Sequence, residues 1–176
     1  DGRLMYTDEK GAYLFMGDLF DTRTQKNLSA EKRFSLLPLD GAIKMVRGTG
    51  KNVLVTFEDP NCSYCKKLVR ELQGVKDITI YTFLLPVLSE DSVTKSRAIW
   101  CSADRAKAWT DWMAAGIPPA AASDKCDANP MLERNSEIAQ QLEIRGTPFL
   151  MFANGSMARG YIPAGEIEKR FSRVGG

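Results

Sequence analysis

Residues 52–72 read NVLVTFEDPNCSYCKKLVREL and combine three signals in a fixed order. The apolar run predicts a strand over 52–58, and the residues that follow have helical spacing and predict a helix over 63–73. Cys62 and Cys65 form a CxxC pair at the N-terminus of this helix. Unpaired backbone N–H groups and the positive end of the helix dipole favour an anion there. Because a thiolate is the nucleophile of disulfide exchange, the segment predicts redox chemistry.

The composition excludes several functional classes. The 176 residues carry a net charge of +2 and are 44% hydrophobic, which allows a sizeable core and gives no reason to expect nucleic-acid binding. The sequence contains no histidine, so Ser-His-Asp and Cys-His hydrolases lack their base. Activation of Cys62 is therefore left to the helix terminus and to nearby cations such as Lys66 and Lys67.

The four cysteines fit two disulfides, which can be paired in three ways. A CxxC pair can close on itself, which favours Cys62–Cys65 together with Cys101–Cys126. A second, structural disulfide implies an oxidising compartment. The alternative is an all-cysteine zinc site, which we disfavour because the second pair is separated by 24 residues in helical and loop sequence. We therefore expect no metal.

The N-terminal quarter of the chain predicts a separate small unit. Residues 4–6 and 13–15 predict short strands joined by a turn, and 19–21 predict an extension into a small meander. We assign 1–28 to this β segment and 29–48 to a linker, in which Leu39–Val46 has helical spacing. The sequence shows no signal peptide and no apolar run of roughly 18 residues, so we expect the processed or shortened form of an exported protein.

The remaining residues, 49–176, alternate strand and helix. A strand over 78–85 follows the first helix, so the two strands are expected to be parallel and joined by a right-handed crossover. A long helical region over 91–115, broken near Ser102, contains three tryptophans that predict a core or inter-helix face. A loop over 118–127, a helix over 130–142, a hairpin over 149–160 and a closing helix over 164–173 follow.

This layout, with Gly146-Thr147-Pro148 opening the last hairpin, is that of the thioredoxin fold, with a helical insertion. The chain more closely resembles the periplasmic disulfide isomerases of the DsbC/DsbG type. The motifs that carry the resemblance cover about residues 50–173 and are Phe57-Glu58-Asp59-Pro60-Asn61-Cys62-Ser63-Tyr64-Cys65-Lys66-Lys67-Leu68, Ala98-Ile99-Trp100-Cys101, Gly146-Thr147-Pro148, Asn154-Gly155 and Gly160-Tyr161-Ile162-Pro163.

The resemblance implies an α/β catalytic domain that reshuffles or reduces incorrect disulfides in exported proteins in the periplasm. Cys62 is then the exposed nucleophile and Cys65 the deeper, resolving cysteine. Ser63 and Tyr64 tune the pair and also contribute to substrate binding, and the cis-proline loop at Thr147 and Pro148 binds the substrate backbone. A structural Cys101–Cys126 disulfide, a membrane thiol reductase of the DsbD type as electron donor, and no added cofactor are also implied.

Two departures from the family pattern bear on function. Thioredoxin has a buried aspartate six residues before its first active cysteine, whereas this chain has Thr56 there, and we rate Glu58 only a weak substitute. Residues 1–24 resemble only the C-terminal hairpin of the family's dimerisation domain. A homodimer is therefore one expectation, and the alternatives are a monomeric dithiol oxidase or reductase and a chaperone-like module that binds unfolded proteins.

Overall fold

The computed structural model describes residues 4–24, 26–123 and 125–172. Its elements follow the chain in this order: β1 (Met5–Thr7), β2 (Leu14–Met16), β3 (Phe20–Asp21), β4 (Lys26–Asn27), α1 (Leu28–Ser35), a 3₁₀ turn (Leu39–Gly41), β5 (Ile43–Arg47), β6 (Asn52–Glu58), α2 (Ser63–Leu72), β7 (Ile78–Leu84), α3 (Glu90–Trp100), α4 (Arg105–Thr110), a π turn (Asp111–Ala115), α5 (Asn129–Gln141), β8 (Phe149–Phe152), β9 (Met157–Arg159) and α6 (Ala164–Ser172).

A five-stranded sheet in the order β5-β7-β6-β8-β9 forms the centre of the fold. Strands β6 and β7 are parallel, with Val55 opposite Tyr81, and α2 connects them. The other neighbouring strands are antiparallel. This arrangement confirms the predicted strand–helix–strand unit and places the CxxC pair where β6 leads into α2.

Both faces of the sheet are covered. On one face, Leu54 packs with Leu68 of α2 and Ile167 of α6. On the other face, Phe57 stacks on Phe83 with ring centroids 4.8 Å apart, within a second cluster that includes residues of α5. Burial of β6 on both sides explains its nearly continuous apolar sequence.

The helix predicted over Leu39–Val46 is wrong. A 3₁₀ turn ends at Gly41, and Ile43–Arg47 form an edge strand that pairs antiparallel with β7. Burial along this strand alternates between the inward-facing Ile43 and the exposed Lys44 and Val46. The apolar spacing is short enough to fit either period, and pairing with β7 decides in favour of the strand.

The N-terminal segment forms two separate two-stranded hairpins, β1–β2 and β3–β4, so the predicted meander is replaced by a second hairpin. Buried Ser29 connects them to α1, because its Oγ atom accepts from the backbone N–H of Leu19 and bonds to Tyr6. Helix α1 in turn packs against Gly155, where an added Cβ would lie 2.3 Å from the backbone of Ala30.

The helical insertion is broken after Trp100, as the sequence predicted, and continues as α4 and the π turn. Trp109 is fully buried, while Trp100 and Trp112 are half-buried against the same cluster, so the predicted inter-helix face is confirmed. Helix α6 is described to Ser172; Arg173 and residues 1–3, to which predicted segments extend, lie outside the described residues. Within the described ranges, no helix combines the length and apolarity that spanning a bilayer requires.

Candidate active site

Cys62 is the N-cap residue of α2, and Cys65 lies one turn further along the helix. The backbone N–H of Cys65 donates to Sγ of Cys62 over 3.2 Å, and the N–H of Lys66 donates to the Cys62 carbonyl. The sulfur therefore takes the place of the side-chain oxygen that usually caps a helix. Only 7% of Cys62 is exposed, so it is less open than the sequence suggested, while Cys65 is fully buried.

The two thiols differ strongly in acidity. A hydrogen bond from the Cys65 thiol, together with the N–H groups of Cys65 and Tyr64, lowers the pKa of Cys62 to about 6, although burial opposes this effect. Burial raises the pKa of Cys65 far above its usual range, and its hydrogen bond to Cys62 and the charge of Glu58 act in the same direction. At neutral pH the first cysteine is therefore a thiolate and the second a thiol.

The Thr147–Pro148 loop faces the CxxC pair across the site. Its peptide bond is cis, and the carbonyl oxygen of Thr147 lies 3.5 Å from Sγ of Cys62. Pro148 is buried, Thr147 is half-buried, and Ser63 and Tyr64 are exposed beside the sulfur. The structure therefore brings together the residues that the sequence analysis assigned to the nucleophile and to the substrate-binding loop.

Glu58 is more prominent than the sequence indicated. It ends strand β6 and is fully buried; its Oε1 atom accepts from Thr56 Oγ1 over 2.7 Å, whereas Oε2 has no hydrogen-bond partner among the described residues. Burial raises its pKa to about 8, and the nearby Cys62 thiolate adds to this effect. This buried carboxyl group, with a pKa of about 8, thus responds to the charge of Cys62 and itself helps to raise the pKa of Cys65.

Asp59 is a site residue that the sequence analysis missed. Its carboxylate is fully buried and accepts four hydrogen bonds, of 2.7–3.0 Å. The donors are the backbone N–H groups of Asn61, Val87 and Leu88 and the Ser92 hydroxyl. These bonds join the turn before Cys62 to the loop after β7. An acidic residue three positions before the CxxC pair was the available signal, but three of its four donors lie about thirty residues away in the chain.

The cations near the site interact with aromatic rings. Lys66 Nζ lies 4.2 Å from the centroid of the Trp112 ring, and Lys67 Nζ lies 4.2 Å from that of Tyr161. The Trp112 indole N–H also donates to the Pro60 carbonyl over 2.6 Å. Neither lysine is among the groups that lower the pKa of Cys62, so the expected contribution of local cations is replaced by hydrogen bonding.

The other two cysteines form a disulfide outside this site. Cys101 and Cys126 are bonded and join the end of α3 to the loop before α5, whereas Cys62 and Cys65 are free thiols. In the described part of the chain, no group of three or more His, Cys, Asp or Glu side chains is arranged to hold a metal ion. Cys62 and Cys65 are therefore not part of the disulfide and lie at a different place in the fold from Cys101 and Cys126.

Two family models match the chain. A thioredoxin-like domain matches residues 39–175, and the N-terminal domain of disulfide bond isomerase proteins matches residues 1–30. The first match begins before β5, in agreement with the pairing of that strand in the sheet.

Curated and solved relatives are consistent with these matches. The probable thiol:disulfide interchange protein DsbC of Bordetella parapertussis is 45% identical over 174 residues, which are 95% of this chain and 61% of that protein. The DsbC protein of Escherichia coli K12 is 26% identical, over 94% of this chain and 72% of that protein. The crystal structure of a disulfide interchange protein from Neisseria gonorrhoeae is 38% identical with a TM-score of 0.72, covering 78% of this chain and 97% of that one. The chain thus spans about three fifths of its Bordetella relative.

Proposed function

Because the chain belongs to the thioredoxin-like, DsbC-type family of disulfide interchange proteins, we propose that it exchanges disulfides in polypeptides through Cys62 and Cys65. The observation that carries this proposal is the contrast between the two thiols. Cys62 is acidic, caps a helix and faces Thr147, whereas Cys65 is buried and protonated. A structural cysteine pair would have no need of such an arrangement.

The first step is attack by the Cys62 thiolate on a substrate disulfide. A bond forms between Cys62 Sγ and one substrate sulfur, the substrate disulfide breaks, and the other sulfur leaves as a thiolate. That thiolate can attack a second disulfide within the same substrate, and the thiolate released by this exchange then attacks the mixed disulfide and displaces Cys62 as a thiolate. No net oxidation or reduction occurs in this cycle, so the pairing is reshuffled.

The second route releases a reduced substrate. Cys65 loses its proton and its thiolate attacks Cys62 Sγ, which breaks the mixed disulfide. Cys62–Cys65 becomes a disulfide, and the substrate sulfur leaves as a thiolate that takes a proton from water. We propose the ionised form of Glu58 as the proton acceptor; with a pKa of about 8 this is the minor form at neutral pH and the major form above pH 8. Glu58 is buried, acts electrostatically on Cys65, and its Oε2 atom has no hydrogen-bond partner among the described residues. This route transfers two electrons to the substrate. A membrane thiol reductase of the DsbD type would then restore the pair.

Substrate binding is assigned to the Thr147–Pro148 loop and to the exposed residues Ser63 and Tyr64. Thr147 precedes β8 and its carbonyl oxygen lies 3.5 Å from Cys62 Sγ, which supports the proposal that its backbone pairs with an extended segment as an added strand. Backbone pairing selects for extended chain rather than for a particular sequence. The proposed substrates are therefore misfolded exported proteins in the periplasm.

The N-terminal hairpins support a homodimer as the proposed assembly. Their side chains expose a large apolar area, which includes Tyr13, Leu14, Phe15 and Met16 at 51–79% exposure. Patches of this kind mark interaction sites. We propose 1–28 as a dimerisation-type segment, followed by the linker, and we start the catalytic unit at residue 39 instead of 49 because β5 belongs to the sheet.

The same apolar area also favours a second candidate, chaperone-like binding of unfolded chains, which would survive the loss of Cys62. A monomeric dithiol oxidase or reductase is the alternative if the hairpins do not associate. Light scattering of the pure chain separates these assemblies, because a dimer has twice the mass of the monomer.

The proposed roles are tested by trapping the mixed disulfide. A Cys65→Ser chain mixed with a peptide disulfide should accumulate a covalent adduct at Cys62, identified by mass spectrometry after digestion. The Cys62→Ser chain serves as the matched control and should form none. Equal adduct formation by both variants, or by neither, would contradict the assignment of nucleophile and resolving cysteine.

A further inference from the structure

A groove formed in part by the loop after β7 is not used by the chemistry described above. It lies between the loop over 85–88 and helices α3 and α5, and its apolar lining includes Leu85, Val87, Val93 and Leu132. Its volume is about 240 Å³. Pockets for small molecules measure about 300–1,000 Å³, so this groove suits one side chain better than a whole ligand.

Hydrogen bonds connect one wall of the groove to the residues that precede the nucleophile. Asp59 accepts the N–H groups of Val87 and Leu88 through one carboxylate oxygen, and its own carbonyl accepts the N–H of Cys62. The N–H of Leu85 donates to the Glu58 carbonyl. One wall of the groove is therefore hydrogen-bonded directly to the two residues that lead to the nucleophile, which fixes the groove relative to Cys62.

Exposed apolar side chains lie on this loop and next to the nucleophile in the chain. Val87 is 58% exposed and Leu88 is 57% exposed, and Tyr64 on the other side of Cys62 is 63% exposed. Contact of large aliphatic side chains with water is unfavourable, so covering them when a substrate binds contributes favourably to the free energy of binding. The groove is flanked by Arg97 and Glu133, whose opposite charges leave no preference for a charged occupant.

We infer that this groove binds an apolar side chain of the polypeptide whose cysteine reacts with Cys62, and that Asp59 is the positioning residue that holds groove and nucleophile together. The inference rests on the proposed function and adds a preference to it. Substrate cysteines are selected when a large apolar residue lies a few positions away. Misfolded chains expose such residues, whereas native proteins largely bury them in their cores.

The test compares peptides that carry one cysteine in a mixed disulfide with the same small thiol. One peptide has serine throughout its flanks. The others have leucine at a single position, roughly two to five residues from the cysteine, which scans about 7–18 Å of extended chain. Second-order rates are measured with the pre-reduced chain. We expect the best leucine peptide to react about tenfold faster than the serine peptide, as burial of an aliphatic side chain predicts.

Variants assign this advantage to the groove. Val87→Ser should reduce the leucine-to-serine rate ratio to near one, whereas Val46→Ser, at a 53% exposed position on the edge strand β5, should leave it unchanged. In Asp59→Asn, the amide NH₂ group replaces one carboxylate oxygen and faces either the N–H groups of Val87 and Leu88 or the donors of Asn61 and Ser92. Two of the four hydrogen bonds then lose their acceptor, so this variant should also lower the ratio. Because the ratio is taken with one enzyme, a change in the reactivity of Cys62 itself cancels.

The outcomes separate the two proposals. Equal rates for leucine and serine peptides in the unmodified chain would overturn the groove while leaving disulfide exchange intact. A leucine advantage that persists in Val87→Ser would also overturn the groove, because the apolar contact then lies elsewhere. No reaction with any peptide or with the small disulfide would overturn the proposed function and this inference with it.

Discussion

The backbone N–H of Cys65 points at Sγ of Cys62 over 3.2 Å, so the resolving residue also stabilises the nucleophile. The Cys65 thiol adds the largest single contribution to the acidity of Cys62. The order of events follows from this relationship. Cys62 is prepared to attack for as long as Cys65 holds its proton, and Cys65 becomes a nucleophile only after Cys62 has been consumed in a mixed disulfide.

The first prediction concerns the pH dependence of Cys62. Its pKa of about 6 lies below the ordinary value of 9.0, so alkylation by iodoacetamide should rise with pH to a plateau around a midpoint near pH 6. In Cys65→Ala the side-chain hydrogen bond is lost and the midpoint should move upward. A midpoint at the ordinary value in the unmodified chain would contradict the proposed activation.

The second prediction concerns the release step. Glu58→Gln removes the proposed proton acceptor, and general acid–base groups contribute about 10²–10⁴-fold to rate, so release of substrate thiol from a preformed mixed disulfide should slow by about 10²-fold. Single-turnover kinetics measures this step apart from the initial attack. Glu137→Gln, at an exposed position on α5, is the matched control. Equal release rates in the two variants would exclude Glu58 as the acceptor.

The third prediction concerns stability and pH. Burial raises the pKa of Glu58 from 4.5 to about 8, so the folded state holds a proton that the unfolded state loses. Its contribution to the free energy of unfolding is present below pH 4.5 and is lost as the pH rises through 8. Glu58→Gln should therefore stabilise the reduced chain by on the order of a few kcal/mol more at about pH 8.5 than at about pH 5.

Urea denaturation of both chains at the two pH values measures this difference. Comparison with the unmodified chain is needed because Cys62 titrates in the same range and its effect on stability has the opposite sign. Its lowered pKa adds to the free energy of unfolding as the pH rises above 6. A mutant-minus-wild-type difference that does not change with pH would show that Glu58 is ionised in the folded protein throughout this range.

The fourth prediction concerns the Cys101–Cys126 disulfide. It closes a loop with a sequence separation of 25, and the loop-entropy model assigns roughly 3.5 kcal/mol to such a closure. The Cys101→Ala/Cys126→Ala chain should lose about that much unfolding free energy while the pH midpoint of Cys62 alkylation stays in place. A shifted midpoint would mean that the disulfide also supports the active site.

Much of the fold was predictable because its signals are local. The apolar run over 52–58 and the CxxC pair each predict a local structure, and Thr147-Pro148 becomes informative through its place in the order of strands and helices. Residues 43–47 were mistaken for helix because only pairing with β7 distinguishes the two periods there. The raised pKa of Glu58 depends on burial, and the hydrogen bonds of Asp59 depend on donors near residue 90. No local sequence pattern encodes either feature.

The central claim is tested most directly by reactivation of a scrambled protein with several disulfides, using the pre-reduced chain without added oxidant. We expect activity to return with the unmodified chain and not with Cys62→Ser. Reactivation that is equal in the two chains, or absent despite normal alkylation of Cys62, would contradict the assignment of disulfide interchange to this site.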